Sequence, residues 1–406
     1  MLNYLQARQT VIRAVSACSR DLSVESVPLQ ASLGRVLADN ISADRDYPPF
    51  HRSTRDGFAL RAADLACLPA TLKLLGEIKA GDRFDGTVGE GECVAIMTGA
   101  PVPEGADAVV MVEHTEPRQD EVVVKRSLQA GANIVPRASE ATAGALLLSA
   151  GTRIGYAEIS LLGQVGQARV GVRRRPRVAV LSTGYEVVPV ESQPGPNQIR
   201  NSNTYSMAAQ VTLSGGEPVL LGNAPDELNQ LEELIRRGLE EDLLVLTGGV
   251  SMGKYDLVEV VLRKLGAEFH FDAVAIRPGR PAVFATCQSK FVFGLPGNPV
   301  STMVTFELFV TPAIALLGGA AAPALQFFRA RLVEPVKQKT QLTLFLPARL
   351  EGQGTDTCVR PLRWQGSGDV AAFAGSNCFL VVPEDVSELA AGSWVDILPR
   401  RDAVVR

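Results

Sequence analysis

Residues 243–266, LLVLTGGVSMGKYDLVEVVLRKLG, decide the fold. Leu243, Leu244, Val245 and Leu246 are consecutive apolar residues without alternation, the pattern of a strand buried on both faces. Thr247, Gly248 and Gly249 break the run. From Leu257 the spacing turns helical, with Leu257, Val261 and Leu265 on one face and Val258 and Leu262 beside them. Asp256 stands at the N-cap position, and Glu259 completes an Asp-x-x-Glu capping box. Arg263 and Lys264 suit the negative end of the helix dipole, and Gly266 closes the helix. Strand, glycine-rich loop and helix together form a crevice with bare backbone N–H groups at a helix start, suited to an anion. Tight strand-to-helix turns use glycines and caps in any case, so shape alone leaves both readings open.

The same grammar recurs on either side. RVAVLSTGYEVV (177–188) is a buried strand followed by Ser182, Thr183 and Gly184, with Glu186 just beyond. A helix then ends at Gly215-Gly216, a strand follows, and PDELNQLEELIRRGLE is a helix beginning at Asp226 with Leu228, Leu231 and Ile235 inward. After the opening unit come AIRPGRPAVFA, the strand FVFGL (291–295), the loop Pro296-Gly297-Asn298-Pro299 and a helix over Val300–Phe309, which Pro312 ends or kinks. Alternating strands and helices imply a doubly wound parallel sheet with right-handed crossovers. Residues 70–145 hold short apolar runs separated by Gly, Pro and acidic turns, the pattern of a small β domain. Residues 325–406 revert to strands and form a further small, barrel-like β domain. The fold class is α/β plus β, in several domains.

At 406 residues the chain exceeds one ordinary core. The net charge of −4 gives no support to nucleic-acid binding, and the basic run 173–177 reads as a solvated linker. Six scattered cysteines and three histidines show no zinc spacing and fit a reduced, cytoplasmic setting. The N-terminus is amphipathic rather than a signal segment, and no run approaches the ~20 apolar residues of a membrane span.

In a parallel sheet the loops after strands emerge at one edge. Ser182–Gly184, Thr247–Gly253 and Pro296–Pro299 therefore converge, offering hydroxyls (Ser251 among them), glycine N–H groups and helix starts suited to phosphate. Glu186, Asp226 and Asp256 bring carboxylates to the same rim, where a hard cation such as Mg²⁺ would reconcile them with a phosphate. Each acid also has a plainer reading: Asp226 and Asp256 as N-caps, Glu186 as a solvated loop residue. Arg277 and Arg280 add paired positive charge suited to an oxyanion. Asp56, before Gly57, reads as turn chemistry or as part of a site flanked by Arg52, Arg55 and Arg61. No Ser-His-Asp pattern, Walker A sequence or G-x-G-x-x-G is present.

The stretches STRDGFALRAAD, IMTGAPVPEGADAVV, AGTRI, LSTGYE, NSN (201–203), TGGVSMGKYD, RPGRP and LPGNPVS, in this order over residues 53–301, resemble the molybdopterin molybdenumtransferase family, the molybdenum insertases of molybdenum cofactor biosynthesis, which includes the insertase domain of gephyrin. The resemblance implies an elongated homodimer of four-domain chains: a discontinuous domain (1–45 and 145–173), an inserted β domain (46–144), an α/β domain (174–324) and a C-terminal β domain (325–406). It implies a site completed by the second chain, and a reaction that takes adenylylated molybdopterin and molybdate, hydrolyses the adenylate with a divalent cation and leaves molybdenum on the dithiolene. The family's functional positions fall on Asp56, Thr98, Glu140, Glu186, Asp226, Asp256, Pro296 and Pro299, with Gly248, Gly249, Gly297 and Asn298 in the binding loops. Glu140 stands where the family commonly has Asp, Lys254 where it has Asp or Glu, and Arg277 and Arg280 where it has lysines. Two other readings are the sibling molybdopterin adenylyltransferase, which shares only the α/β domain and is also a candidate partner, and a non-catalytic dimeric scaffold.

Overall fold

In the computed structural model, which describes residues 1–18, 23–249, 257–352 and 354–403, the buried run at 243 lies inside a six-stranded sheet. Its strands are β1 (Arg177–Thr183), β2 (Glu217–Ala224), β3 (Leu243–Thr247), β4 (Glu268–Phe271), β5 (Val283–Cys287) and β6 (Lys290–Leu295), in spatial order 2-1-3-6-5-4. β2, β1, β3 and β6 are mutually parallel; β5 pairs antiparallel with both β6 and β4. The sheet is therefore mixed, with β5 running against the other five strands. The reversal comes from a two-residue hairpin at Gln288 and Ser289, both at positive φ (49° and 60°), the conformation that a type I′ turn demands.

Alternate residues of the strands enter two cores, as the pleat requires. Val178, Val180, Leu243 and Val245 pack with Met207 and Val211 of α1 (Asn203–Ser214) and with Val300 and Phe309. Ala179, Leu181, Leu244 and Leu246 pack with Leu231 and Ile235 of α2 (Leu228–Gly238) and with Val258 and Val261 of α3 (Leu257–Lys264). Both faces are covered, so the sheet is doubly wound. α2 differs from expectation at its start. Its cap is Glu227, without a side-chain cap bond, and Leu228 is exposed rather than inward. At the end of α3, Gly266 (φ 79°) closes the helix, its N–H and that of Ala267 donating to Arg263 and Leu262.

Pro312 does not end the last helix. α4 (Pro299–Thr305) continues through a π-turn at Phe306–Val310 into α5 (Thr311–Leu317). The N–H that Pro312 lacks would have served Leu308 O. The buried Arg8 guanidinium, on the N-terminal helix Tyr4–Ala17, donates to that carbonyl instead (2.7 Å), and also reaches Pro323 O. The resulting helix, Pro299–Leu317, is 19 residues long and apolar enough by length and composition to cross a membrane, which the sequence reading had not anticipated. It is a core helix, with 83% of its most apolar window buried.

Five further strands, β7 (Phe328–Leu332), β8 (Thr343–Glu351), β9 (Cys358–Pro361), β10 (Cys378–Val382) and β11 (Trp394–Pro399), pair in the order 8-9-7-11-10 and close through β10–β8 into a barrel. Barrel, α/β sheet and N-terminal helix belong to one unit (1–38, 151–156, 169–406). The second unit (39–150, 157–168) is built on a six-stranded sheet of Ala108–Met111, Gly57–Leu60, Glu92–Ile96, Ala70–Ile78, Glu121–Val124 and Thr115–Pro117. Gly57 opens a strand here rather than a turn. A Cβ at Gly57 would lie 1.8 Å from Val110 O of the paired strand, so only glycine fits.

Candidate functional site

The strand register brings the loops together. Thr183 lies opposite Ala224, Ser182 opposite Thr247, and Thr247 opposite Leu295, so four carboxyl ends finish level. They enclose a cleft of about 770 Å³, to which Ser182, Thr183, Gly184 and Glu186 contribute from β1, Asp226 from β2, Gly248 and Gly249 from β3, and Pro296, Gly297, Asn298 and Pro299 from β6. Ser251, Lys254 and Asp256, with its capping box, lie outside the described residues. Arg277 and Arg280 are exposed and do not line this cleft, although Pro281 does.

The two described cleft acids are uncommitted. Among the described residues neither carboxylate accepts a hydrogen bond; their backbone carbonyls do, Glu186 O from Ile199 N–H (2.8 Å) and Asp226 O from Tyr185 Oη (3.3 Å). With the α2 cap at Glu227, Asp226 is free of the capping role. Gly184 (φ 132°) leaves room for Glu186, whose Oε2 would lie 2.7 Å from a Cβ there. Two further polar atoms at the cleft floor, Thr183 Oγ1 and Asn203 Oδ1, are buried and have no partner among the described residues. Such groups carry a desolvation cost that a bound ligand would relieve. No three His, Cys, Asp or Glu side chains converge among the described residues. The donors present are oxygens, two of them carboxylates without a bond among the described residues, which suits a hard cation sharing its remaining positions with phosphate and water. Glu186 and Asp226 would hold it.

Asn201 and Asn203, quoted above only within a family stretch and given no role there, fix this floor. Asn203 Nδ2 donates to Thr247 Oγ1 (3.1 Å) and Gly297 O (2.7 Å), joining two loops at the start of α1. Asn201 Nδ2 donates to Ser182 Oγ (2.7 Å), and its Oδ1 receives Thr204 N–H (3.1 Å). Ser182 Oγ is thereby tied into the floor rather than open to a ligand. The signal was the Asn-Ser-Asn triplet before α1, which serves both as a helix start and as a loop clamp. Arg200, next to it, also lines the cleft.

In the second unit, Asp56 Oδ1 accepts from Thr98 N (2.7 Å) and Thr98 Oγ1 (2.9 Å). These bonds, the backbone N–H first, hold the Asp56 carboxyl below the usual carboxylate range. Gly99 N–H donates to Ser53 O (2.8 Å), and from the neighbouring residue Arg52 Nη2 reaches Glu140 Oε1 (2.8 Å). Asp56, Thr98 and Glu140 thus lie around one corner of this unit.

A doubly wound sheet with a ligand cleft at its carboxyl edge, together with an N-terminal β unit and a C-terminal barrel, defines a multidomain ligand-binding α/β protein. Three family models match in succession: MoeA N-terminal region (domain I and II) over residues 2–166, Probable molybdopterin binding domain over 179–316, and MoeA C-terminal region (domain IV) over 329–399. The chain is 35% identical over 400 residues to molybdopterin molybdenumtransferase of Bacillus subtilis, covering 96% of this chain and 93% of that one. It is 34% identical over 401 residues to the Staphylococcus aureus protein of the same name, covering 98% and 96%. A solved molybdopterin biosynthesis moeA protein from Pyrococcus horikoshii superposes with a TM-score of 0.84 at 27% identity, covering 98% of this chain and all (100%) of that one. The chain belongs to the molybdopterin molybdenumtransferase family.

Proposed function

We propose that the chain is a molybdenum insertase, which takes adenylylated molybdopterin and molybdate, hydrolyses the adenylate and leaves molybdenum on the dithiolene to form molybdenum cofactor. The observation that carries this reading is the cleft where glycine loops and two uncommitted carboxylates meet at the carboxyl edge. The backbone N–H of Gly249 and the start of α1 face the adenylate phosphate, while Gly248, whose N–H donates to Leu295 O (3.2 Å), lets the backbone approach closely. Glu186 and Asp226, with Asp256 as a proposed third member, would hold Mg²⁺ beside the phosphate. Bound there, the cation would act as a Lewis acid toward phosphorus. Ser251 is proposed to join the phosphate contacts, and Arg277 and Arg280 to attract molybdate. Full-length membership supports this reading over a stand-alone adenylyltransferase or a scaffold, since the first shares only the α/β part and the second needs no carboxylate rim. A molybdopterin adenylyltransferase is the natural supplier of the substrate.

We also propose a cytoplasmic homodimer of four-domain chains in which Asp56, Thr98 and Glu140 act on substrate held by the partner's cleft. Release of AMP from adenylylated molybdopterin, with molybdate and Mg²⁺ present, tests the activity. A protein that leaves this compound intact would refute it. For the shared site, Asp56→Ala and Asp226→Ala chains are mixed. Verified heterodimers should recover partial activity, and recovery of none would refute the sharing.

A further inference from the structure

We propose that Asn223 is a positioning residue for Glu186, holding that carboxylate at the geometry the cation needs. This rests on the proposed role of the cleft. Residues 184–187 form a tight turn closed by Val187 N–H to Gly184 O (3.3 Å). Asn223, on β2, spans its two ends: Nδ2 donates to Gly184 O (2.9 Å) and to Val187 O (3.2 Å). Its Oδ1 accepts from Ser182 Oγ (3.0 Å), which itself receives Asn201 Nδ2. The amide orientation follows from these partners, because a flipped Asn223 would face two carbonyls with its own oxygen. Glu186 is thus carried on a turn pinned at both ends, while its carboxylate accepts no bond of its own among the described residues. Asn223 also precedes Asp226 by three residues, so its side chain ties the turn that carries Glu186 to the strand that leads to Asp226. Both of its donors are spent on the turn, so Asn223 acts through Glu186 and not on substrate.

The test compares wild type, Asn223→Ala and Asn223→Asp, the last retaining an acceptor for Ser182 while losing both donors. Amide exchange is followed at residues 185–187 without ligand, and binding of Mg²⁺ together with AMP is measured by calorimetry. Both variants should exchange faster at the turn and weaken Mg²⁺ binding roughly 10-fold. In turnover, the Mg²⁺ requirement should rise by the same factor, with kcat recovered at saturating Mg²⁺. Faster exchange with unchanged Mg²⁺ binding would make Asn223 a turn staple only and overturn the proposal, as would unchanged exchange. If Asn223→Ala does not fold, Asn223→Asp decides. If wild type releases no AMP, the insertase reading falls, whereas exchange and calorimetry still judge Asn223.

Discussion

The two sets of acids are held in opposite ways. In the second unit Asp56 accepts two hydrogen bonds from Thr98, and Glu140 is paired with Arg52. At the sheet edge the carboxylates of Glu186 and Asp226 accept none among the described residues; the backbone around them is fixed instead, by asparagine amides and strand register. A carboxylate with one oxygen already engaged is held in place and can orient a neighbour. One with neither oxygen engaged can turn both toward a cation. We therefore propose the cation role for the cleft pair and an orienting role for the corner.

The strongest challenge to this comparison is removal of charge at the cleft. Glu186→Gln and Asp226→Asn should each lower AMP release by on the order of 100-fold, with an unchanged melting temperature. If Asp226 were a helix cap, Asp226→Ala would cost about 1 kcal/mol of stability. With the cap at Glu227, denaturant unfolding should show no such loss. Asp56→Asn should act more mildly, about 10-fold on turnover, without altering the Mg²⁺ requirement. A raised Mg²⁺ requirement there would erase the distinction between the two sets.

Thr98→Val is subtler. The folded Asp56 carboxyl lies below its ordinary value, so its interaction with Thr98 is fully present above that ordinary value and is lost as pH falls through the lowered one. Removing the hydroxyl leaves the backbone donor, so the carboxyl should rise only part of the way, moving the acid limb of activity upward. An NMR titration of Asp56 reads this directly. The smallest effect is a control on all the others. Burial pushes the thiols of Cys93, in the second unit, and Cys378, in the barrel, up to about 12. At pH 8 alkylation should reach the exposed Cys67 and spare both. Labelling of either buried thiol in a charge-removed variant would show that its unit had opened.

How much could be read from the sequence depended on how local the signal was. β1, β3 and β6 are unbroken apolar runs, and their pattern is a direct consequence of burial on both faces. The turn at Gln288-Ser289 carries no glycine, so the reversal of β5 had no local sign. Pro312 obeys the rule that proline costs a helix a bond, yet the helix continues because Arg8, some 300 residues distant in sequence, serves the freed carbonyl. Such partners are invisible to a window. The cleft acids were found because loop position alone brings them together. Asn201, Asn203 and Asn223 were missed as clamps because asparagine before a helix or after a strand has an ordinary explanation, and only distances show that these amides reach neighbouring loops.

Arg8 also imposes an order on synthesis. The N-terminal helix packs through Ala7, Val11 and Val15 into the core that α5 completes, Leu2 O accepts from Ala275 N–H, and Arg8 waits for the carbonyls of Leu308 and Pro323. The helix Tyr4–Ala17 thus has no complete seat until the chain through Pro323 has been made. Until then its apolar stripe lacks the core that covers it.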